Sequence, residues 1–572
     1  MAYRLPGRRH QFQYPVLGED AAVYTGLALF SLFGALVVRH ARIEEGLDFQ
    51  EALRVVNERA VARIERRWDD LAAEPAPPSV DIAHHPYAID LDLFGRASLF
   101  QLLGPAATPL GSTRLARWLV EAAPREEIQD RQEAVRELVD PVEWRLELAA
   151  HGQLAHGWEE VDVARLLAWA EGPPAPHLRL LFAITIVILA FFWVLLALSV
   201  WDVLESAWFG IPLVAALVLS FALGNRLQAA FDRAGSGERS LERYASLLEQ
   251  AAARTFASAR LARLHALLSG DGGSPRAMRR LNRILGFAEL RRGAAILHVP
   301  IQALTLWDFW VFFALERWRR TAGAHVRQWL EALAEIDALA VLAALQHDNP
   351  GWARPEIVDE PLYTADALGH PLLPETHRVV NDVVVGPPGS LLLVTGSNMS
   401  GKSTLLRAIG LNVVLAQAGG CVCASRLRTP AVDLQTSIRV QDSLELGLSY
   451  FMAALARLKA VVDAAESSRG GPQLMYLLDE ILQGTNSAER SVAVRAVARH
   501  LLDAGAIGAM TTHDLSLAGE EPLNSAARLV HFTETVDASG KMSFDYRLRP
   551  GLATSRNALR LMQMIGIDVK PS

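Results

Sequence analysis

The sequence has very little cysteine and no surplus of positive charge. Cys421 and Cys423 are the only two cysteines among its 572 residues, which excludes a disulfide framework and a four-cysteine zinc site. We expect the two thiols to pack as small buried side chains in a reducing compartment. The formal net charge of −7 gives no general attraction to nucleic acid, so contact with a polyanion would need a local basic patch.

Long apolar runs, by contrast, are present. Hydrophobic residues make up 51% of the chain against 21% charged residues, and the mean hydropathy is +0.17. Residues 180–200 contain no charge and residues 208–223 follow after a short connection, which predicts a transmembrane helical hairpin. Arg179 precedes this hairpin and Arg226 and Arg233 follow it, so the positive-inside rule puts both ends in the cytoplasm. The alternative is a pair of buried core helices.

Two further apolar stretches are harder to assign. Residues 21–38 are at the short end of what spans a bilayer, and the acidic residues before them argue against a cleaved signal peptide. We predict a membrane segment, with a buried or interfacial helix as the alternative. A single crossing would put an arginine-containing N-terminus outside, in mild conflict with the orientation of the hairpin. Residues 300–315 are apolar but contain Asp308, and are predicted to form a core or interfacial helix.

A short loop in the C-terminal third carries the strongest functional signal. An apolar run at residues 391–395 leads into Gly396-x-x-x-x-Gly401-Lys402-Ser403, and a helix-forming segment follows. This order is typical of a phosphate-binding loop, in which backbone amides and the helix N-terminus surround anionic oxygens. We expect Lys402 to reach the β- and γ-phosphates and Ser403 to ligate Mg²⁺. The predicted nucleotide-binding residues of the loop are Gly396, Ser397, Asn398, Met399, Ser400, Gly401, Lys402, Ser403 and Thr404.

Two later strand patterns end in polar residues that suit ATP hydrolysis. Residues 474–478 are apolar and run into Asp479 and Glu480. In a phosphate-loop ATPase an Asp at this place holds the Mg²⁺ shell, and a neighbouring Glu can polarise the attacking water. A third strand, residues 506–510, leads to His513, which can sense the γ-phosphate or orient water. We therefore predict Asp479 as a metal residue, and Glu480 and His513 as catalytic residues.

These motifs resemble the ATPase domain of the MutS family, which belongs to the ABC-type ATPases. The resemblance is carried by Thr395 to Thr404, by Asp479-Glu480-Ile-Leu-Gln-Gly-Thr-Asn-Ser and by Thr511-Thr-His-Asp. Residues 85–139 are similar to the helical core of the family. The family implies a dimer in which each subunit completes the nucleotide site of the other, with Ser449 facing the γ-phosphate of the partner's ATP.

The predicted fold class is multidomain: a helical MutS-like core with transmembrane helices, followed by a C-terminal α/β P-loop ATPase domain of ABC type. The predicted divisions are an N-terminal tail with a membrane segment (1–48), the first part of the core (49–177), the hairpin (178–226), the second part of the core (227–350) and the ATPase domain (351–572). The predicted location is a membrane crossed several times, with the ATPase domain in the cytoplasm.

The sequence also departs from the family pattern. No room is left ahead of residue 85 for the mismatch-reading and connector domains, and the hairpin lies where the long levers and DNA clamp would begin. Phe287-Ala-Glu and Phe532-Thr-Glu repeat the mismatch-reading Phe-x-Glu pattern in the wrong places, and Ala454 stands where the family usually has Glu. The resemblance therefore favours an ATPase but not mismatch recognition.

The sequence as a whole supports a membrane-anchored MutS-like ATPase that uses ATP and Mg²⁺ as a homodimer. Six arginines between Arg276 and Arg292 could contact DNA or anionic lipid, although an exposed basic face explains them as well. Two alternatives stay open. One is an ABC-type transport ATPase, for which the Leu-Ser-Gly-Gly-Gln signature is missing, and the other is a membrane scaffold that binds ATP without turnover.

Overall fold

The computed structural model describes most of the chain, and its mostly helical first part is followed by a part with mixed sheets. The described residues are 19–73, 75–155, 160–234, 238–270, 273–293, 295–397, 399–439, 450–468, 472–482, 487–536 and 542–553.

Fourteen α-helices precede the first strand in these ranges. They are α1 (Glu19–Glu65), α2 (Leu99–Leu103), α3 (Pro109–Val120), α4 (Arg125–Val139), α5 (Val142–Leu154), α6 (Glu160–Ala170), α7 (Leu178–Val200), α8 (Gly210–Ala234), α9 (Glu238–Ala252), α10 (Ala259–Ser269), α11 (Ser274–Gly293), α12 (Ala295–Thr305), α13 (Trp307–Ala322) and α14 (Val326–Asp348). α14 is central, because it packs against α3, α4, α9 and α10.

A buried aspartate of α14 fixes the start of α3. The Thr108 hydroxyl caps α3 by accepting from the backbone N–H of Gly111, and Pro109 occupies the first turn, as helix N-termini favour. Asp337 accepts hydrogen bonds from the backbone N–H groups of Ala107 and Thr108 and from the Thr108 hydroxyl, at 2.7–2.9 Å. These bonds satisfy donors at a helix N-terminus and join two core helices.

α1 is one continuous helix of 47 residues, and the division predicted at residue 48 lies inside it. Its apolar first half is exposed from Tyr24 onward, whereas its second half packs against α5. No proline or other strong stop signal separates the apolar run from the amphipathic stretch, and Gly46 alone costs a helix only about 1 kcal/mol. Residue 48 therefore does not coincide with a helix end in the structure.

The hairpin predicted from the apolar runs consists of α7 and α8, which pack against each other. α8 extends past the predicted boundary at residue 226, because Leu227, Phe231 and Ala234 are buried in the helical core. Many apolar side chains nearer the hairpin turn are exposed, among them Val194 and Phe221. By length and composition, α1, α7 and α8 are the described helices that could cross a membrane.

The helix predicted over residues 300–315 is instead two helices. Leu306, at a φ of 52°, separates α12 from α13 in a left-handed conformation that stops a helix. Asp308 lies in the first turn of α13, where a carboxylate is favourable.

Three sheets and four further α-helices form the described C-terminal part. The helices are α15 (Lys402–Ala418), α16 (Tyr450–Ser467), α17 (Ser487–Asp503) and α18 (Leu523–Ala526). The strands are β1 (Glu356–Ile357), β2 (Tyr363–Leu368), β3 (Asn381–Val385), β4 (Leu391–Thr395), β5 (Arg426–Thr429), β6 (Val432–Ser437), β7 (Gln473–Leu478), β8 (Ile507–Thr512), β9 (Ala527–His531), β10 (Glu534–Val536), β11 (Met542–Phe544) and β12 (Arg549–Pro550).

The largest sheet carries the loops that contain the predicted site residues. Its strand order is β12-β9-β4-β8-β7-β6, and all neighbours pair in parallel except β12 with β9. The other sheets are β1-β5-β2-β3 and the hairpin β10-β11. All residues of β4 are buried: Leu392 and Val394 join the main core, while Leu391 and Leu393 join a second cluster with α16 and α17. A strand covered on both faces explains the continuous apolar run.

A buried aspartate joins the helical core to this sheet. Asp90 accepts hydrogen bonds from the Thr436 hydroxyl at 2.7 Å, from the backbone N–H groups of Ile438 and Arg439 at 2.9 and 3.1 Å, and from Arg457 at 2.8 Å. Only 1% of Asp90 is exposed. One carboxylate thus satisfies four donors across the junction between the two parts of the chain.

Candidate functional site

The loop between β4 and α15 has a backbone that requires glycine. Gly396 and Gly401 have φ values of 148° and 107°, in the region that side chains disfavour. A Cβ atom at Gly396 would lie 2.8 Å from the Ser400 hydroxyl, and one at Gly401 would lie 3.1 Å from the ring of Tyr546. The two glycines of the predicted motif are thus required by conformation and by close contacts.

Lys402 opens α15 and points back across this loop. Its Nζ donates to the carbonyl oxygens of Gly396 and Ser397, both at 2.9 Å, and lies 3.1 Å from Glu480 Oε1. Only 4% of the lysine side chain is exposed. A buried ammonium needs such partners, and phosphate oxygens would suit it equally well.

Asp479 and Glu480 follow β7, two strands from the loop in the same parallel sheet. The Thr511 hydroxyl, at the end of β8, donates to Asp479 Oδ1 and accepts from the backbone N–H of Glu480 at 3.0 Å. Because β4, β8 and β7 are parallel neighbours, their carboxyl ends meet at one edge, where α/β sheets bind ligands. The structure therefore brings the two predicted carboxylates to the edge of the sheet that carries the loop, with Glu480 in contact with Lys402.

His513 lies on the other side of Glu480. Its Nδ1 is 3.4 Å from Glu480 Oε2, and its Nε2 is 3.4 Å from Arg490 Nη2. The imidazole is 45% exposed, compared with 13% for the Glu480 side chain. Glu480 is thus held between a lysine and a histidine, an arrangement in which a carboxylate can orient and deprotonate a water molecule.

A cavity of about 760 Å³ opens beside the loop. Met399, Ser400, Gly401, Lys402, Ser403 and Thr404 line it together with Asp479 and Glu480. The aromatic side chains of Phe532 and Tyr546 and the imidazole of His370 line it as well. Burial, with a contribution in the same direction from the nearby Arg407 and Arg378, lowers the pKa of His370 to about 4. The imidazole of His370 is therefore neutral at physiological pH.

The residues present fit a nucleoside triphosphate with Mg²⁺. The cavity volume lies within the range of ligand pockets, about 300–1,000 Å³. The Ser400 hydroxyl is buried and has no hydrogen-bond partner among the described residues, so it is available to a ligand. Ser403 and Asp479 have side-chain oxygens and line the same cavity, and Mg²⁺ usually takes only one or two carboxylates besides phosphates and waters. No cluster of three or more potential metal ligands occurs in the described ranges.

Two predicted site residues lie outside the described residues, namely Asn398 of the loop and Ser449.

Two contributions to the site are missing from the sequence-based prediction. The sequence indicates Thr511 only as part of a motif, although its hydroxyl contacts the Asp479 carboxylate and the backbone N–H of Glu480. Phe532 and Glu534 stand out only for a chance pattern, yet Phe532 lines the cavity and Glu534 accepts a hydrogen bond from Ser397 of the loop. Their distance along the chain gives no signal for these contacts.

The two cysteines lie behind α15, as expected. Both thiols are free and buried, and the backbone N–H of Cys423 donates to Asn412 of α15 at 2.6 Å. Burial raises the pKa of Cys423 to about 11 and raises the pKa of Cys421 as well. The thiols are therefore packing groups with little thiolate reactivity.

Comparison with known proteins identifies the domain that contains this site. Residues 392–570 match the family model of MutS domain V. The C-terminal part of the chain therefore contains a MutS domain V. The chain is 31% identical over 252 residues to the DNA mismatch repair protein MutS of Natronomonas pharaonis, and 29% identical over 266 residues to the DNA mismatch repair protein MutS 2 of Halobacterium salinarum. This result confirms the resemblance inferred from the motifs.

The similarity to these MutS proteins is partial. The two alignments cover 43% and 46% of this chain but only 28% and 30% of the relatives. The chain therefore matches less than a third of the length of either relative. The loop, both carboxylates and His513 all lie within the domain V match, whereas α1 to α14 precede it.

Proposed function

We propose that this MutS-family protein is a membrane-anchored ATPase that binds ATP with Mg²⁺ and acts as a dimer. The observation that carries the proposal is the convergence of Lys402, Asp479 and Glu480 at the glycine-containing loop, beside a cavity of suitable volume. The match to MutS domain V supports it.

Each side chain of the site has a role in this proposal. When ATP binds, the ammonium of Lys402 would contact β- and γ-phosphate oxygens in place of Glu480 and the loop carbonyls. Glu480 would then be free of this ion pair and could accept a proton from the attacking water. His513 holds the far oxygen of Glu480. Thr511 orients the Asp479 carboxylate and the backbone of Glu480 through its hydroxyl. Asp479 and Ser403 would hold Mg²⁺, which offsets the phosphate charge when bound.

The membrane location and the partners belong to the same proposal. Exposed apolar side chains on α1, α7 and α8 support anchoring in a bilayer. DNA is included among the proposed partners, because the relatives are named as DNA mismatch repair proteins. The arginines of α11 at positions 276, 279, 280 and 283 are exposed, and with a net charge of −7 any DNA contact would rely on such a local face.

Glu480→Gln tests the ATPase proposal. The amide cannot accept the proton of the attacking water, so turnover should fall at least about 100-fold, a typical contribution of a general base. ATP affinity should stay close to that of the original protein, because Lys402 and the loop are intact. Phosphate release and binding of a fluorescent ATP analogue measure the two quantities in the full-length protein.

Glu489→Gln is the matched control, since Glu489 is exposed on α17 of the same domain and should leave both quantities unchanged. An unaltered turnover in Glu480→Gln would show that Glu480 is not the base. Absence of ATP binding in the original protein would overturn the proposal as a whole.

A further inference from the structure

We propose that α12 and the first turn of α13 lie in the cytoplasmic leaflet of the bilayer, as an element that enters and leaves on one side. The proposal rests on the proposed membrane anchoring of the α7–α8 hairpin. It extends that anchoring to a part of the chain that contains Asp308 and whose apolar stretch is too short to cross.

The helices before and after α12, α11 and α13, lie side by side. The indole N–H of Trp307 donates to the carbonyl of Phe287 at 3.0 Å, and that of Trp318 donates to the carbonyl of Ala277 at 2.7 Å. These two contacts pair α11 with α13 in antiparallel orientation. α12 therefore connects two paired helices of the core. The chain enters and leaves α12 on the same side, so α12 cannot be a single transmembrane crossing.

α12 lies beside the cytoplasmic half of the hairpin. Gln302 of α12 donates to the Ser220 hydroxyl of α8 at 2.9 Å, and Phe182 of α7 has its ring centroid 5.8 Å from Trp310 and 5.0 Å from Phe313. Ser220 is within the apolar run and precedes Arg226 by six residues, or about 9 Å at the rise of a helix. These contacts put α12 at the depth of the lipid if the hairpin spans.

The same region exposes apolar side chains. Val299 and Leu304 of α12 are 62% and 41% exposed, and Trp310 of α13 is 40% exposed. Phe287, which contacts Trp307, is 54% exposed. Aliphatic and tryptophan side chains on elements packed against a membrane hairpin suit the acyl and headgroup regions of one leaflet.

The polar groups of this region are satisfied within the protein, as lipid requires. His298 Nε2 lies 2.8 Å from Asp308 Oδ1, with the two side chains 8% and 5% exposed. The backbone N–H of Asp308 donates to Gln302 Oε1 at 2.9 Å. The aspartate that argued against a membrane position is thus buried against a histidine instead of facing lipid.

Basic residues mark where the chain leaves the leaflet. Residues 293–316 contain no lysine or arginine. Exposed arginines stand on α11 before this stretch and on α13 after it, at positions 280, 283, 317 and 320. Arginines on both connecting helices would meet anionic headgroups of the cytoplasmic leaflet. This charge pattern, with the antiparallel pair, identifies a lipid bilayer as the occupant of the exposed face.

Cysteine scanning of the full-length protein in open membrane fragments tests the proposal. Val299→Cys and Leu304→Cys place thiols on the exposed face of α12. Arg263→Cys, on the exposed face of α10, is the control in water, and Val214→Cys, on the exposed face of α8, is the control in lipid. The native thiols are buried at 1% and 3% exposure, so they contribute little background.

We expect a charged maleimide to label positions 299 and 304 at least about tenfold more slowly than position 263, because hydrocarbon excludes it. A bimane attached there should be quenched by phospholipids with nitroxides on the acyl chains. If positions 299 and 304 react as fast as position 263 while position 214 is protected, the α12 inference fails and the anchoring stands.

Two other outcomes are also decisive. Fast labelling at position 214 would overturn the membrane anchoring itself. Protection at positions 299 and 304 without quenching by nitroxide lipids would mean that protein covers this face, which overturns lipid as its occupant.

Discussion

At the scale of single residues, the proposed nucleotide site depends on a hydroxyl that has no chemical role of its own. Thr511 donates to Asp479 and accepts from the backbone N–H of Glu480. Glu480 is also held by Lys402 and His513. The hydroxyl therefore positions two adjacent residues, Asp479 and Glu480, that have different proposed tasks, metal binding and proton acceptance.

Thr511→Val should lower ATP turnover about 10- to 100-fold, because a hydrogen bond to a charged group contributes about 1.5–3 kcal/mol. The Michaelis constant for ATP should change little, since valine fills the same volume and Lys402 is untouched. Steady-state phosphate release measures both.

Thr511→Ser restores the hydroxyl and should recover most of the turnover, which a loss of packing alone would not explain. Thr321→Val, on α13 and away from the site, should behave like the original protein. Equal turnover in the valine and serine variants would contradict a positioning role for the hydroxyl.

At the scale of helices and strands, the core depends on a carboxylate inside α14. Burial raises the pKa of Asp337 to about 6, although hydrogen bonds from Ala107 and Thr108 oppose the shift. The folded protein therefore keeps a proton that the unfolded chain, with an Asp pKa near 3.8, has already released at intermediate pH. Stability must fall as pH rises through this window.

The free energy of unfolding should decrease by about 2 kcal/mol between pH 4 and pH 6 because of Asp337 alone. Asp337→Asn imitates the protonated acid and should remove this contribution. The free energy of unfolding of the variant should therefore increase relative to that of the original protein as pH rises. Thermal unfolding in detergent across that pH range measures the difference.

Because other carboxylates titrate in the same window, the contribution of Asp337 is the difference in stability between the original protein and the Asp337→Asn variant. Asp162→Asn, at a partly exposed position on α6, should leave the slope unchanged. If the stability difference between Asp337→Asn and the original protein stays constant from pH 4 to pH 7, the pKa of Asp337 is not raised.

At the scale of the whole molecule, the parts before and after the first strand are held together at Asp90. Its carboxylate satisfies Thr436, Ile438, Arg439 and Arg457. Nearby, α15 packs against α3 and α4, and Gly410 of α15 leaves room for Leu91, which would lie 2.7 Å from a Cβ atom there. The helix that follows the proposed phosphate loop is thus braced directly by the helical core.

Asp90→Ala should destabilise this junction by about 3 kcal/mol or more, because it leaves an arginine and two backbone N–H groups without their partner. Urea unfolding measures the change, and hydrogen exchange should show faster opening at residues 436–439. Asp503→Ala, at an exposed position on α17, is the control and should cost less than about 0.5 kcal/mol. A similarly small cost at Asp90 would argue against the role of this junction.

Features that depend on neighbours along the chain can be predicted from the sequence alone. The apolar run of β4, the glycines of the loop, Lys402 and the carboxylates after β7 follow from local patterns. The two halves of the hairpin are found in the same way, because length and hydropathy are local properties. These patterns also lead to the MutS family, which the domain V match confirms.

How distant segments meet depends on tertiary packing. The fold brings Thr511 to Asp479, Asp90 to Arg457 and Gln302 to Ser220, across separations that no periodicity records. It also divides residues 300–315 at Leu306, because packing against other elements, more than local propensity, decides where such helices end. Local sequence sets the chemistry that is available, whereas long-range packing sets which groups can act together.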